Sequence, residues 1–503
     1  MSSLRRTLSL ALLAIACALP ATTRAQIGLG QQWLTLQLNS VDEIWSGSFR
    51  EPGGVFDDHS AFTDLARYND DLFVTFREST GHVPGTNGRA AVLRSTDEGQ
   101  TWSRVADLRK EDFPAYDLRD AKLTVTPTGD LLVYTAGANY TQGSPADRRV
   151  YASTYDEVND SFGPLVEMLP TAGSQFQETQ SDWLWRMTWH NEVAYGIGYR
   201  ASDQDSSRES YLYSSTDGLN WDTVTEVVNP DNRVGETTIR FDDAGDMYLF
   251  ARGRFLQSGE PNNLAWLGHA TAASGYTDFD WTPLIDQQGI HRQLGGPNMI
   301  FTPSGEILVA SRKVSSEGTS DNQSKTMLAQ ITVDGTWRDL MELPSGGDTS
   351  YAGLLLEGDD LMVSYYSAPP SGGDPHIYFA NLTLGTIAPP PQWNGLVGDI
   401  NQDGILFGDG TGSVETDDIS AFVASFGMRN LPGLEDQYTS YLHGDVNFDG
   451  RTNMLDFGIV RYAWLEEGLN VAAVFGSATS VPEPSCLALF AIVGAATLLR
   501  RTL

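Results

Sequence analysis

The stretch NDDLFVTFRE, from Asn69 to Glu78, is a polar turn followed by apolar and aromatic residues, and its pattern returns five more times. The other copies are TGDLLVYTAG from Thr128, HNEVAYGIGYR from His190, AGDMYLFARG from Ala244, SGEILVASRK from Ser304 and GDDLMVSYYS from Gly358. The first apolar strand residues of successive copies are 54 to 62 residues apart. A repeat of about this length, built of short strands and turns, is typical of a β-propeller with one four-stranded blade per repeat. The sequence therefore predicts an all-β domain of six blades, which we place at residues 26–388.

A second strand precedes each copy, and polar residues mark its beginning. These segments are Phe62-Thr63-Asp64, Leu118 to Lys122, Trp183 to Arg186, Glu236 to Arg240, Gly295 to Asn298 and Asp348 to Tyr351. If they are the innermost strands, their amino-terminal ends meet around the propeller axis. Carboxylates, arginines, an asparagine and a tyrosine would then share one concave surface.

A third periodic feature is the Asp box, Ser-x-Asp-x-Gly-x-Thr-Trp. Ser95 to Trp102 is a full copy, Ser215 to Trp221 is one residue short, and Asp334 to Trp337 is a remnant. The Asp and Gly of the box favour a tight hairpin turn, and its Trp is expected to pack between blades. The motif is structural and has no chemistry of its own.

Asp boxes in a six-bladed propeller resemble the sialidase superfamily, and the likeness covers residues 50–383. Glu236 in GETTIRF and Arg252 in LFARG match a Glu and a following Arg of that family, and Tyr351 in TSYAGL matches its nucleophilic Tyr. The chain resembles exo-sialidase-like bacterial proteins, which carry a comparable HSAFTDL, FRE, DLRDAKL, WLWRMTWH and GGDTSY series.

The resemblance implies a retaining glycoside hydrolase. A Tyr, with a reference pKa of about 10, is a poor nucleophile until a carboxylate takes its proton. Tyr351 with Glu236 would form a glycosyl-enzyme intermediate, which is the tyrosine exception among glycosidases that use two carboxylates. A separate acid must protonate the leaving group.

The chain also departs from the sialidase pattern. Phe62-Thr63-Asp64 stands where that family has the first of three arginines that bind the substrate carboxylate, and Arg312 and Lys325 are alternatives for the third. We therefore expect a glycan substrate whose sugar is not ordinary sialic acid. The candidate catalytic residues are Tyr351, Glu236, Glu78 or His82 as the acid, and Asp64 and Asp120 as competing carboxylates. The candidate substrate-binding residues are Arg77, Arg119, Arg186, Arg252 and Asn298.

Two other functions stay open, because a fold does not determine function. A carbohydrate-binding propeller without turnover would need exposed aromatic residues such as Trp183, Trp185, Trp189 and Trp266. A polysaccharide lyase would need His82 or a Tyr near an Arg that neutralises a uronic acid. No cofactor is expected in the propeller.

The overall composition excludes some partners. The chain has 503 residues with 65 acidic and 32 basic side chains, for a net charge of −33. Nucleic acid and anionic membrane surfaces need clustered cations, so neither is an expected partner. The two cysteines, Cys17 and Cys486, lie in the terminal apolar segments, which leaves the body of the protein without thiols.

The first 25 residues have the pattern of a secretory signal peptide. Arg5 and Arg6 precede an apolar stretch from Leu8 to Leu19, and Thr23-Arg24-Ala25 offers a cleavage site. A lipoprotein cleaved before Cys17 is the alternative. Either pattern predicts export.

The last 25 residues, 479–503, have a second targeting pattern. Val481-Pro482-Glu483-Pro484 precedes an apolar run from Cys486 to Leu499, and Arg500 and Arg501 follow it. The run is shorter than the about 20 residues of a typical transmembrane helix, and the Arg pair fits a cytoplasmic stop. The order resembles the PEP-CTERM sorting signal of Gram-negative bacteria. The resemblance implies a transmembrane helix, removal of the tail by an exosortase, and a cell-surface or extracellular location; a plain tail anchor is the alternative.

Two acidic loops follow the proline-rich break at Ala388 to Pro391 and define a predicted domain at 389–478. The second loop has oxygen ligands at the spacing of an EF-hand loop, with Gly450 at its bend. Its candidate ligands are Asp445, Asn447, Asp449, Asn453 and Asp456. The first loop carries extra residues from Leu406 to Ser413, and its candidate ligands are Asp399, Asn401, Asp403 and Asp418.

A helical pattern follows each of these loops. Paired calcium loops, each followed by one helix, resemble dockerin domains. The resemblance implies a small α domain, calcium as cofactor and a cohesin-like partner.

Overall fold

The computed structural model divides the chain into two compact units, residues 1–388 and 389–503. The predicted signal peptide and sorting signal both lie outside the described residues. The structure describes residues 32–46, 49–50, 56–57, 59–82, 87–110, 116–140, 146–177, 182–200, 209–231, 233–253, 263–286, 289–313, 324–369, 372–387, 398–402, 406, 413, 417–433 and 437–466.

The first unit is built from β-strands. In chain order they are β1 (Trp33–Trp45), β2 (Phe49–Arg50), β3 (Phe56–Asp57), β4 (His59–Tyr68), β5 (Asp71–Ser79), β6 (Arg89–Ser95), β7 (Ser103–Leu108), β8 (Tyr116–Val125), β9 (Leu131–Asn139), β10 (Ala146–Asp156), β11 (Ser161–Phe162), β12 (Val166–Glu167), β13 (Leu169–Pro170), β14 (Asp182–Leu184), β15 (Thr188–His190), β16 (Val193–Arg200), β17 (Ser210–Ser215), β18 (Asn220–Glu226), β19 (Val234–Phe241), β20 (Met247–Gly253), β21 (Ala265–Ala270), β22 (Asp280–Pro283), β23 (Ile285–Asp286), β24 (Asn298–Phe301), β25 (Ile307–Lys313), β26 (Lys325–Ile331), β27 (Thr336–Glu342), β28 (Gly346–Glu357), β29 (Asp360–Ala368) and β30 (His376–Ile387). A short 3-10 helix covers Ala272–Ser274.

These strands form six antiparallel blades, as the repeat predicts. The first is β4 to β7, the second β8 to β11, the third β14, β16, β17 and β18, and the fourth β19 to β22. The fifth is β24 to β27, and the sixth is β28, β29, β30 and β1. The innermost strands β4, β8, β19 and β28 contain the segments that the sequence places at the axis. In the other two blades the predicted segment only overlaps the strand: Trp185 and Arg186 follow β14, and Gly295 to Pro297 precede β24.

The ring closes by strand exchange between the two ends of the unit. Strand β1 is the outer strand of the last blade and pairs antiparallel with β30, from Trp33 opposite Ile387 to Trp45 opposite Ile377. Pairing the first strand with the last blade removes a free edge and ties the unit into a ring.

Both faces of each blade are buried, which explains why the repeats are almost continuously apolar. Leu72, Val74 and Phe76 of β5 pack into one cluster, while Phe73 packs into another with Val133 of the next blade. Successive side chains of a strand point to opposite faces, so each blade contributes to two inter-blade cores.

The Asp box forms the predicted hairpin turn. The Asp97 carboxylate accepts hydrogen bonds from the Thr101 N–H at 2.8 Å and its hydroxyl at 2.6 Å, and Gly99 has a φ of 83°. Trp102 Nε1 donates back to the Gly99 carbonyl at 3.0 Å. The motif holds a turn between two outer strands and lies on no innermost strand.

The second unit contains helices α1 (Asp418–Ser425), α2 (Gln437–Leu442) and α3 (Met454–Glu466). Its core contains Ile400, Phe422, Val460 and Trp464. No helix in the described part of the chain is both long and apolar enough to cross a membrane.

Candidate functional site

The innermost strands carry β-bulges where they approach the axis. The register shifts between Ala61 and Asp64 in blade one, Arg119 and Lys122 in blade two, Val234 and Thr237 in blade four, and Ser350 and Gly353 in blade six. The bulged residues include Phe62, Asp120 and Tyr351, with φ values of 63°, 55° and 51°. A bulge re-aims a side chain, and non-glycine residues at such φ values are typical of functional sites.

Two of the predicted residues meet directly at this place. The Tyr351 hydroxyl donates a hydrogen bond of 2.7 Å to Glu236 Oε1, across 115 residues of sequence. Burial, followed by the negative charge of Glu236, raises the pKa of Tyr351 well above its usual value. The tyrosine is therefore a protonated group aimed at a carboxylate.

The other oxygen of Glu236 is held by two donors. Arg252 lies 2.8 Å from Glu236 Oε2, and the Gly296 N–H donates to the same oxygen at 2.8 Å. Burial acts to raise the pKa of Glu236, but Arg252 and the hydrogen bonds from Tyr351 and Gly296 outweigh it and keep the pKa below its ordinary value. Glu236 is thus an ionised carboxylate with one oxygen directed at Tyr351.

Gly296 is needed here because the backbone passes very close to Tyr351. It has a φ of 62°, and a Cβ at this position would lie 2.4 Å from Cδ2 of the Tyr351 ring. Any side chain at this position would displace the tyrosine.

Asp120 is a second carboxyl group beside the pair. Burial raises the pKa of Asp120, and the charge of Glu236 acts in the same direction, while Lys122 and Arg119 oppose the shift. The Trp183 Nε1 donates to Asp120 Oδ2 at 2.9 Å. The site therefore contains two carboxyl groups whose pKa values are shifted in opposite directions, as in acid–base pairs of hydrolases.

Arg312 is the arginine that approaches Tyr351 from blade five. Its guanidinium lies 5.7 Å from the Tyr351 ring centroid, and its Nη2 donates to the Tyr366 hydroxyl at 2.8 Å. Lys325, the alternative that the sequence left open, donates instead to the Ser345 carbonyl.

Asp348 links Arg312 to two histidines. Its Oδ1 accepts from Tyr366 at 2.9 Å, and its Oδ2 lies 3.2 Å from His59 Nε2 and in contact with His82 Nδ1. Burial would raise the pKa of Asp348, but the hydrogen bonds from His59 and His82 hold it below its usual range. Burial lowers the pKa of His59, while the hydrogen bond to Asp348 opposes that shift.

A deeper cluster lies around Asp64. Arg186 Nη1 donates to Asp64 Oδ1 at 2.6 Å, and both side chains are 5 % exposed. The Leu123 N–H donates to Asp64 Oδ2 at 3.0 Å, and the Asn298 side chain donates to the Ala352 carbonyl at 2.9 Å. Asp64, Arg186 and Asn298 line a small cavity of about 70 Å³. Asp64, Arg186 and Asn298 therefore act together, but in a buried structural network.

Lys122 lies between the deep cluster and the Tyr351 pair. It is fully buried, and its Nζ lies 4.9 Å from the Trp185 ring centroid. Burial, followed by the charge of Arg186, lowers its pKa to about 8, while Asp120 and Asp64 oppose the shift.

Two predicted site residues are in the wrong place for their roles. The Glu78 side chain is fully buried, and it accepts from Trp45 Nε1 at 2.9 Å, Arg89 Nε at 3.0 Å and Arg104 Nη1 at 2.8 Å. Arg77 is also fully buried and binds both oxygens of Asp117, at 2.8 and 3.1 Å. Glu78 is therefore a structural carboxylate and not the acid, and Arg77 has no surface on which to bind a substrate.

The remaining candidates differ in exposure. Arg119 is 16 % exposed, donates to the Tyr140 hydroxyl at 2.9 Å, and lies 4.6 Å from the Trp183 ring centroid. Trp183, Trp185 and Trp266 are buried, and Trp189 is half-buried. Three of the four tryptophans that a binding module would expose are thus in the core.

Asp348 and His59 lie in this site without being predicted as site residues from the sequence, and Arg312 is predicted only as an alternative to Lys325. Asp348 stands in the GGDTSY segment and His59 in HSAFTDL, both of which the sequence had already marked. Position on an innermost strand was the signal that could have found both residues.

The two acidic loops of the second unit share one hydrogen-bond arrangement. Asp456 Oδ1 accepts from the N–H groups of Val446 at 3.0 Å and Asn447 at 3.2 Å. Asp418 Oδ1 accepts in the same way from Ile400 at 2.6 Å and Asn401 at 3.2 Å. Asp418 therefore holds in the longer loop the position that Asp456 holds in the shorter one.

The remaining ligand candidates can be placed on the same pattern. Asp445 accepts from the N–H groups of Asp449 and Gly450 at 3.0 Å each, and Asn447 also bonds Asp449. Asp399 is buried at the start of the first loop, as Asp445 is in the second. Asp403 lies outside the described residues.

The propeller unit is a six-bladed β-propeller, and solved structures share that fold. A protein of unknown function from Dyadobacter fermentans DSM 18053 matches 70 % of this chain and 99 % of its own, with 16 % identity and a TM-score of 0.54. An alpha-L-arabinofuranosidase from Fusarium graminearum matches 69 % of this chain and 98 % of its own, with 16 % identity and a TM-score of 0.50.

A sialidase from Trypanosoma rangeli, in complex with the inhibitor DANA, matches 69 % of this chain and 60 % of its own, with 12 % identity and a TM-score of 0.51. Identities this low show a shared fold only. No known protein family and no curated protein matches the sequence.

Proposed function

We propose that the propeller is a retaining exo-glycosidase that acts on a terminal sugar of a glycan. Tyr351 is the nucleophile and Glu236 is its base. The observation that carries the proposal is the 2.7 Å hydrogen bond from the Tyr351 hydroxyl to Glu236. The named neighbours support it, since two of them are enzymes that act on glycans.

The charge states suit this reaction. As the Tyr351 oxygen attacks the anomeric carbon, its proton passes to Glu236 Oε1, and the glycosidic bond breaks. The leaving oxygen takes a proton from a second group. A water molecule then cleaves the Tyr351–sugar bond, gives its proton to that second group, and Glu236 returns the first proton to Tyr351.

Asp120 is the acid in this proposal. Its raised pKa favours the protonated form that donates to a leaving group. Glu78 is excluded by its burial among arginines. His82, the other predicted acid, is bound to Asp348 at the edge of the pocket.

The substrate class follows from the arginines. Arg252 is engaged by Glu236, Arg312 by Tyr366 and Asp348, and Phe62 stands where a third arginine would complete a carboxylate clamp. Phe62 packs edge-on against Tyr351, with ring centroids 4.9 Å apart. The apolar ring favours a sugar without a carboxylate at its anomeric carbon, which separates this chain from ordinary sialidases.

Turnover tests the proposal. Purified protein with calcium would be assayed on aryl α-L-arabinofuranosides, aryl sialosides and acidic polysaccharides, with Tyr351→Phe beside it. Release of a sugar with retained anomeric configuration, lost in the variant, supports the mechanism. Unsaturated products would identify a lyase instead, and sugar binding without turnover would identify a binding module.

The acid has its own test. Asp120→Asn should lower turnover by about 10²-fold or more on a substrate with a poor leaving group, because that group needs a proton. The nitrophenolate group of a nitrophenyl glycoside leaves without being protonated, so Asp120→Asn should lower turnover of that substrate much less. The same pattern in His82→Asn, with Asp120→Asn unaffected, would transfer the acid role to His82.

We further propose that the second unit is a dockerin-like domain that binds two calcium ions and a cohesin-like partner. The matching hydrogen bonds of Asp418 and Asp456 support two equivalent loops. Adding a chelator should unfold this unit and leave the propeller folded. Unchanged circular dichroism on calcium removal would contradict the calcium assignment.

The proposed route of the protein is export by the signal peptide, membrane tethering, and release of the tail by an exosortase. The order of Pro482-Glu483-Pro484, apolar run and terminal arginines supports it. Mass spectrometry of the chain from the surface of a Gram-negative host with an exosortase tests it. An intact carboxyl terminus on the surface form would favour a plain tail anchor.

A further inference from the structure

The cluster of His59, His82 and Asp348 is not used by the proposed reaction. His59 begins β4 of blade one, His82 follows β5, and Asp348 lies on β28 of blade six. One ligand atom of each residue lies within 4.8 Å of the other two. Residues distant in sequence thus bring two imidazoles and a carboxylate to one point.

We propose that these three residues bind a divalent transition ion of the zinc type. Two imidazole nitrogens with one carboxylate form the ligand set of many catalytic zinc sites, which keep a position open for water or substrate. Imidazole favours zinc, copper, iron and nickel over calcium and magnesium. This assignment departs from the sequence expectation of no cofactor in the propeller.

The surroundings orient the ligands as a metal site requires. Tyr366 and Arg312 bind Oδ1 of Asp348, at 2.9 and 3.4 Å, so that Oδ2 faces the two histidines. Hydrogen bonds to the non-ligating atoms of a ligand are a regular feature of metal sites. The two imidazole rings are nearly perpendicular, at 86°, with centroids 5.3 Å apart.

The site is open on one side. His59 is 4 % exposed and fixed on an innermost strand, whereas the side chains of His82 and Asp348 are 49 % and 26 % exposed. An ion could therefore enter from solvent and keep a coordination position free.

The location gives the ion a role. His82 and Tyr351 pack on the same Phe62 ring, with centroid distances of 5.3 and 4.9 Å. A bound ion would lie where the arginine clamp is incomplete and could hold a sugar oxygen through its open position. This role rests on the proposed function, but the metal site does not.

Metal binding can be measured without substrate. The full chain would be stripped with chelator and saturated with calcium to fill the acidic loops, then titrated with Co²⁺ while visible absorption is recorded. Zn²⁺ stoichiometry would be measured by calorimetry. We expect one ion per chain, with cobalt bands that Zn²⁺ displaces.

The variants separate this site from the other histidines. His82→Ala, at a half-exposed position, should remain folded by circular dichroism and lose the cobalt bands. His376→Ala is the matched control, since His376 is a histidine paired with one carboxylate, Glu43, at 3.0 Å; it should bind as the wild type does. Tyr366→Phe should weaken binding by about 10-fold to 100-fold, as loss of an outer partner does.

Two results would overturn the assignment. One is the absence of cobalt absorption bands when the wild-type protein is given one equivalent of Co²⁺. In that case Asp348 would only accept hydrogen bonds from the two histidines. The other is a folded His82→Ala that binds as tightly as the wild type. Either result would leave the assay of Tyr351 and Glu236 unaffected.

Discussion

Two arginine–carboxylate pairs lie around the axis of this propeller, and they differ in what surrounds them. Arg186 and Asp64 are 2.6 Å apart, each 5 % exposed, and their remaining bonds go to backbone groups. Arg252 and Glu236 are 2.8 Å apart, with side chains 19 % and 10 % exposed, and the second oxygen of Glu236 faces a tyrosine hydroxyl. The same pair of residue types thus serves packing in one place and positions a reactive group in the other.

The comparison shows that a third group decides the role of a pair. Both carboxylate oxygens of Asp64 accept hydrogen bonds, one from Arg186 and one from the Leu123 N–H, so neither is available for a proton transfer to substrate. Glu236 keeps one oxygen for Tyr351. Mutations in the two pairs should therefore affect different properties, stability in the first and turnover in the second.

The largest expected effect is on turnover. Tyr351→Phe removes the nucleophilic oxygen and keeps the ring, so kcat should fall by at least about 10³-fold, as it does when other nucleophiles are removed. The melting temperature should fall only modestly, because the ring contacts remain and one hydrogen bond, to Glu236, is lost. Steady-state kinetics and thermal unfolding of the same preparation measure both.

Tyr134→Phe is the matched control for that loss. Tyr134 is also a buried tyrosine near the axis, and its hydroxyl accepts a hydrogen bond of 2.5 Å from the Met187 N–H. It should lower stability and preserve kcat. Equal losses of turnover in the two variants would show that removing any buried tyrosine hydroxyl near the axis lowers kcat. Tyr351 would then not be the nucleophile.

The second effect is on stability. Asp64→Asn leaves the Arg186 charge buried without its carboxylate, which costs about 3–5 kcal/mol in the free energy of unfolding. Chemical denaturation of the propeller measures it. Glu98→Gln breaks an exposed pair with Arg67, where Glu98 is 63 % exposed, and should cost about 1 kcal/mol or less. If Asp64→Asn loses turnover without losing stability, the two pairs have been assigned the wrong way round.

The third effect concerns Lys122, which lies between the two pairs. Its pKa falls from 10.5 to about 8 in the folded protein. Below pH 8 the folded state must bury a charged amine, and above pH 10.5 both states are neutral, so this penalty disappears as pH rises between those values. A shift of this size corresponds to about 3 kcal/mol.

Lys122→Met isolates that contribution. The stability of the wild type relative to Lys122→Met should rise by about 3 kcal/mol from pH 8 to pH 10.5. Lys313→Met is the control. Burial acts to lower the pKa of Lys313, but Glu342 and Asp339 outweigh it and raise the pKa above its ordinary value of 10.5. The contribution of Lys313 to stability is therefore lost only above pH 10.5, and the difference between the wild type and Lys313→Met should stay constant from pH 8 to pH 10.5. A constant difference between wild type and Lys122→Met across this range would show that Lys122 titrates normally.

The blades could be read from the sequence because each repeat carries the same local information. A strand buried on both faces must be apolar almost throughout, and a hairpin turn needs its Asp and Gly, so NDDLFVTFRE and the Asp box each specify their own structure. The pairing of β1 with β30 could not be predicted from local sequence, since no feature of Trp33 to Trp45 indicates which distant strand it pairs with.

The site was only partly readable, for a similar reason. Tyr351 and Glu236 were identified by resemblance, and the structure brings them together. Glu78 and Arg77 do not reach the pocket, because they lie on β5, the second strand of its blade, and both faces of that strand are buried. Adjacent strand residues point to opposite faces, so the two side chains enter two different buried interfaces. Their true partners, Arg89 and Asp117, can be identified only once the strands are paired.

The smallest expected effect is a shift in the pH dependence of turnover. Asp120 must be protonated to act as the acid, so turnover should fall on the alkaline side as Asp120 ionises. The Trp183 N–H stabilises the ionised form, and Trp183→Phe removes that donor, so the pKa of Asp120 should rise further. A hydrogen bond to a charged group of the usual strength corresponds to a shift of about one pH unit. The alkaline limb of the kcat profile should therefore move upward by about that amount while the acid limb, set by Glu236, stays fixed. A downward shift of the alkaline limb, or movement of both limbs together, would show that Asp120 is not the proton donor.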